Sequence, residues 1–189
     1  MKAFLKRLPL FIAIGALAVP LSVVTHELGH YLVYKLFGAS EVELRAFSVL
    51  ANKDSLTTGQ IAISTIVGPV ISYATVVIAA FMLKKRYAAF WVVLGLAAPF
   101  ARLVNAIYVY FRIAGYDPNP NFDEFNFSRA IAIDPLIVAI PTTLAFIFIV
   151  GYFLRIAFRQ GRYRELALSI VSVAFGLLFW TLVGPTLVG

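Results

Sequence analysis

The sequence contains no cysteine. Disulfides, thiolate metal sites and cysteine nucleophiles are excluded with it, and the redox compartment leaves no trace. Charge is scarce as well. Asp, Glu, Lys and Arg make up 13% of the 189 residues, about half the share usual in soluble domains. A soluble chain of this length has to cover itself with polar side chains, so that class is excluded. Histidine is rarer still, with two residues, His26 and His30. No repeat, low-complexity segment or linker divides the chain, so residues 1–189 read as a single domain.

Apolar residues are what the chain does have, at 61% of the total, with a mean hydropathy of +0.91. They gather in five stretches, roughly over 8–37, 59–83, 88–114, 134–154 and 166–188. Each reaches the roughly 20 residues that a helix needs to cross a bilayer. Backbone groups in lipid must bond to one another, so these stretches are helical. The predicted fold class is all-α membrane, about five transmembrane helices with a small β-hairpin after the first. Pro20, Pro99 and Pro141 mark bends, and Gly68-Pro69 predicts a break in the second span next to a wet cavity.

The start imitates a signal peptide: Lys2, Lys6 and Arg7 precede an apolar run, and Ala16-Leu17-Ala18 looks like a cleavage site. The run continues past Ala18, and a cut there would leave the histidines on a short stub, so this segment reads as the first span.

The net charge is +7, but the basic residues lie in short clusters between apolar runs. That pattern sets topology and is not a nucleic-acid surface. Lys2, Lys6, Arg7, Lys84, Lys85, Arg86, Arg155, Arg159, Arg162 and Arg164 fall on one side of an alternating five-span chain. Lys35, Arg45, Lys53, Arg112 and Arg129 fall on the other, together with most of the acids. The positive-inside rule then predicts a multi-pass cell-membrane protein with a cytoplasmic N-terminus. Between spans one and two, Val42, Leu44 and Ala46 alternate with Glu41, Glu43 and Arg45, the period of a half-buried strand. A turn at Asn52-Lys53-Asp54 would let 56–58 pair back as a hairpin.

His26 and His30 stand four apart on the first predicted helix, with their rings on one face. That spacing lets both imidazoles bind one Zn2+. Glu27 follows the first histidine, where it takes a proton from water held by the metal, whose pKa zinc lowers to about 7. Two histidines and a glutamate inside an apolar span are costly, at about 2.5–3.5 kcal/mol for an acid at the helix centre, so they need a partner or a job.

Two histidines leave a catalytic zinc one protein ligand short. Asp123 is the leading candidate and Glu124 the alternative. Both follow span three, in a loop that opens on the same side as His26 and His30. Asp117, beside Pro118, and Asp134, before Pro135, read more simply as turn and cap residues. In span three, Asn105 is a candidate for holding substrate backbone or orienting a ligand, and Arg102, three residues earlier, for pairing with an acid.

The segment His26-Glu27-Leu28-Gly29-His30 within a span resembles the site-2 proteases, the intramembrane zinc metalloproteases. Gly68-Pro69-Val70-Ile71-Ser72 is similar to that family's Gly-Pro-x-x-Asn element, with Ser72 in place of Asn. Asn105 followed by Asp123 is similar to its Asn-to-Asp segment, although Glu124 stands where the family has Gly. The resemblance covers about residues 15–130 and implies cleavage of a substrate's transmembrane segment, with Gly68, Pro69 and Asn105 as supporting residues. It also implies that the strand at 41–50 pairs with an extended peptide substrate. The partners expected are the lipid bilayer and a membrane protein or peptide, with no nucleic acid. The alternative from another class is a non-catalytic scaffold or metal-binding protein. A third reading, a hydrolase acting on a lipid-linked amide, fits the same residues.

Overall fold

The computed structural model describes residues 6–85, 88–116 and 122–188. The first helix, α1 (Leu8–Leu36), opens on Pro9, whose fixed φ suits the first turn. It closes at Gly38, where a φ of +79° ends the helix and the Ala39 N–H returns to the Tyr34 carbonyl at 3.0 Å. A two-stranded antiparallel sheet follows, β1 (Ser40–Arg45) with β2 (Ser48–Asn52). Then come α2 (Thr58–Lys85), α3 (Ala89–Ala101), α4 (Leu103–Ile113) and the short α5 (Asp123–Ala130). The chain finishes with α6 (Pro135–Arg159) and α7 (Tyr163–Val188).

Among the described residues, five helical segments are long and apolar enough to cross a membrane, with α3 and α4 together forming the third. The architecture is therefore all-α membrane with a small hairpin. α3 lies at its centre, with every residue from Val92 to Pro99 buried. α6 lies at the edge, with only 17% of its most apolar window buried, so most of its surface faces lipid. α1 and α7 approach closely because each carries a glycine at the contact. A Cβ on Gly15 would strike the Ser172 carbonyl, and one on Gly176 would strike the Gly15 carbonyl.

Three expectations about local structure are corrected. The hairpin turns at Ala46–Phe47 and not at 52–54. The indole N–H of Trp180 donates to the Ala46 carbonyl at 2.9 Å and pins that turn. The segment expected to pair back instead starts α2, through a capping box: the Gln60 N–H bonds the Thr57 hydroxyl at 3.3 Å, and the Thr57 N–H bonds the Gln60 side chain at 2.9 Å. Second, α2 runs unbroken through Gly68-Pro69. Pro69 removes a single N–H from the ladder, which a helix held by packing tolerates. Third, the bend expected at Pro99 in the third span falls just beyond it, where α3 and α4 meet at Arg102 with φ −95° and ψ 0°. Asp134 is a cap as expected: its carboxylate accepts from the Leu136 N–H at 2.8 Å, ahead of Pro135.

Candidate metal centre

Three elements from distant parts of the chain meet at one point. α1 brings His26 and His30, α2 packs antiparallel against it, and α5 brings Asp123. The Nε2 atoms of the two histidines are 3.2 Å apart. Asp123 closes the triangle, with Oδ2 at 3.0 Å from His26 Nε2 and Oδ1 at 3.4 Å from His30 Nε2. Glu27 stands beside it, a carboxylate oxygen 4.0 Å from His26 Nε2. Ligand atoms of His26, Glu27 and His30 all lie within 4.8 Å of one another.

The opposite ring nitrogens fix the orientation of the pair. His30 Nδ1 is 2.6 Å from the Ser64 carbonyl. A carbonyl only accepts, so Nδ1 carries the proton and, in the neutral ring, Nε2 keeps its lone pair. His26 Nδ1 is 2.9 Å from the Ser72 hydroxyl, which both accepts and donates. Both Nε2 atoms are turned toward Asp123, so the ring nitrogens that could ligate a metal converge on one carboxylate. Anchoring the second ring nitrogen on a carbonyl or hydroxyl is also how metal-binding histidines are held.

Gly68 makes the pair possible. A Cβ there would overlap His30 Nε2 and come within 2.8 Å of His26 Cε1. Ser64, Gly68 and Ser72 recur every four residues on one face of α2, opposite His26 and His30 at the same spacing on α1. Gly29 serves the same contact from the other side, since its Cβ would meet the Ile71 side chain.

Asp123 begins α5, with Phe122 as the extended residue before it. Burial by itself would raise its carboxyl. The hydrogen bonds with His26 and His30, and the charges of His30 and Arg102, hold it well below the usual carboxylate range. Glu124 turns elsewhere: its Oε1 is 2.5 Å from Arg102 Nη1, and it is completely buried. Of the two candidates for the third ligand, Asp123 is the one brought to the histidines. Arg102 pairs with both acids. The Asn105 side chain and Asp117 lie outside the described residues.

The cluster opens into a cavity of about 460 Å³. His26, Glu27, His30, Asp123 and Arg102 line one part of it and the β2 strand another. Thr65, whose carbonyl Pro69 leaves without its usual helical partner, is also on its wall.

The sequence reading did not find Ser64, and it registered Ser72 only as a departure from a motif. Both were detectable in principle, as small polar residues eight apart, two steps of the histidines' spacing, on the next span. The chain matches no protein-family model, no curated protein and no solved structure.

Proposed function

We propose that this chain is an intramembrane zinc metalloprotease of the site-2 type, hydrolysing a peptide bond in or near a substrate's transmembrane segment. The observation that carries the reading is the triangle of His26 Nε2, His30 Nε2 and an Asp123 carboxylate, with sides of 3.0–3.4 Å. A tetrahedral zinc shell with bonds of about 2.0–2.1 Å puts neighbouring donors about 3.3–3.4 Å apart. The donor set, two imidazoles and a carboxylate, is one that catalytic zinc uses, and it leaves a position for water. The acids of the cluster outnumber its one guanidinium, which favours a cation.

His26, His30 and Asp123 would hold the metal. Zinc bound there would lower the pKa of water to about 7 and polarise a peptide carbonyl. Glu27, on the cavity wall, accepts the proton of the attacking water as the new C–O bond forms. It returns that proton to the nitrogen as the C–N bond breaks, leaving an acid and an amine. The β2 strand rims the same cavity, so an extended peptide pairing along it would lie beside Glu27. The charge distribution supports a cytoplasmic N-terminus, with the site in the half of the bilayer away from it. Arg7 bonding Glu165 at 3.0 Å fits that topology, since it joins the start of α1 to the start of α7, both expected on one side.

The test compares wild type with Glu27→Gln, both purified in detergent with zinc supplied, on a library of fluorogenic apolar peptides in lipid micelles. Cleavage by wild type alone, with about one zinc on each protein, is the expected result. Equal cleavage by both, or none by a zinc-loaded wild type across the library, would contradict the assignment; in the second case the scaffold or metal-binding reading would take its place.

A further inference from the structure

Arg102 lies outside the ligand set yet touches two of its members. Its Nη2 is 2.8 Å from Asp123 Oδ2. It is also 3.1 Å from His26 Nε2 and 3.4 Å from His26 Nδ1. A nitrogen nearly equidistant from both ring nitrogens cannot lie in the ring plane without colliding with the carbon between them. It therefore sits over the face of the ring and leaves the side of Nε2 that faces Asp123 and His30 uncovered. Arg102 stands beside the convergence of the three side chains, not within it.

Its other end is fixed. Nη1 is 2.5 Å from Glu124 Oε1. The Glu124 side chain is 1% exposed and that of Arg102 13%. Burying such a pair gains little stability, because desolvation cancels most of the attraction, and an apolar pair of similar volume serves a core as well or better. This pair has a more specific use. Asp123 and Glu124 are consecutive in the first turn of α5, so their side chains leave the helix about 100° apart. One planar guanidinium spans both, and its geometry sets the rotation of that turn relative to His26. The arginine is itself carried by the junction of α3 and α4, at the end of a helix buried from Val92 to Pro99. α5 has only eight residues; Phe125 seats it against Val109 and Ala139, and the guanidinium then fixes where the carboxylates of its first turn point. Ser128 donates to the Glu124 carbonyl at 2.7 Å, which stiffens the helix without orienting it.

We propose that Arg102, anchored by Glu124, is the positioning residue that aims Asp123 at the two histidines and so sets the affinity of the site for zinc. The proposal rests on the metal-site reading above. It gives a buried arginine and a buried glutamate, neither of them a ligand, a part in metal binding.

The test is zinc affinity by chelator competition, with thermal unfolding of each metal-free protein alongside. Three proteins are compared: wild type, Arg102→Lys and the double variant Arg102→Met/Glu124→Leu. A lysine keeps the charge but cannot fork across two carboxylates. The double variant removes the whole pair and leaves no charge stranded. Both variants are expected to bind zinc 10–100-fold more weakly than wild type, while the double variant unfolds at the wild-type temperature or above. In an Asp123→Ala background the same changes should weaken zinc no further, because they act through Asp123. A pair with a merely structural role gives the opposite pattern: wild-type zinc affinity in the double variant, or losses that add fully to that of Asp123→Ala. Either result overturns the proposal, and if the double variant fails to fold, wild-type affinity in Arg102→Lys does so. A wild-type protein that takes up no zinc overturns the metal-site reading and this proposal together.

Discussion

The two halves of α1 are buried by opposite means. Around Gly15 the helix is buried because a side chain is missing, and the backbone of α7 fills the space, with Ala18 and Val19 wholly enclosed nearby. Around His26 and His30 it is buried because polar groups are matched, ring nitrogen to carbonyl, hydroxyl and carboxylate. A glycine is needed at each contact, but its neighbours differ. Gly15 faces backbone, which cannot move without parting two helices. Gly68 faces the ends of two imidazoles, which can rotate away. Folding and the proposed metal binding are therefore expected to be separable, carried by different ends of the same helix.

The sharpest way to break the comparison is Gly68→Ala. The new methyl should turn the imidazoles out of register and abolish zinc retention, while thermal unfolding of the metal-free protein changes little. Gly15→Ala should do the reverse. It overpacks the α1–α7 contact at a cost of about 1–3 kcal/mol, read from denaturant unfolding, with zinc stoichiometry unchanged. Zinc lost from both variants, or kept by both, would mean that the two ends are not independent. A smaller effect is expected from Trp180→Phe. Losing the indole N–H strands the Ala46 carbonyl, at about 1–3 kcal/mol, and loosens the hairpin, so faster hydrogen exchange should appear in β1 and β2 ahead of the helices. The smallest is Thr57→Ala, which removes the capping box of α2 at about 0.5–2 kcal/mol and should leave zinc affinity unaltered.

The same contrast governs what could be read in advance. The five spans were legible because a lipid-exposed helix needs an unbroken apolar run, and hydropathy reports that directly. His26, Glu27 and His30 were legible because their spacing is local, within one turn of one helix. Asp123 was reached through topology: alternating spans put its loop on the histidines' side. What failed depended on contacts between distant segments. The hairpin turn was misplaced by several residues, because the Trp180 bond that pins it spans 134 positions. The sequence of 57–60 carried a capping signal that outweighed the strand pattern before it. The bend that Pro99 signalled in the third span was legible, but its position at Arg102, beside the two acids of α5, was not. Pro69 misled in the other direction: it is a breaker in water, but in a packed apolar helix a single missing N–H does not end the ladder. The choice between Asp123 and Glu124 was open in the sequence because adjacent residues on a short helix differ only in rotation, and that rotation is fixed by partners elsewhere.

The central claim is that His26, His30 and Asp123 together hold one zinc ion. It is tested most directly by the metal content of the detergent-purified protein, measured by mass spectrometry after zinc is supplied and excess removed, for wild type, Glu27→Gln, His26→Ala and Asp123→Ala. The account predicts about one zinc per chain in wild type and Glu27→Gln, almost none in His26→Ala, and a marked loss in Asp123→Ala. Wild-type protein without metal, or Asp123→Ala retaining zinc as tightly as wild type, would contradict it.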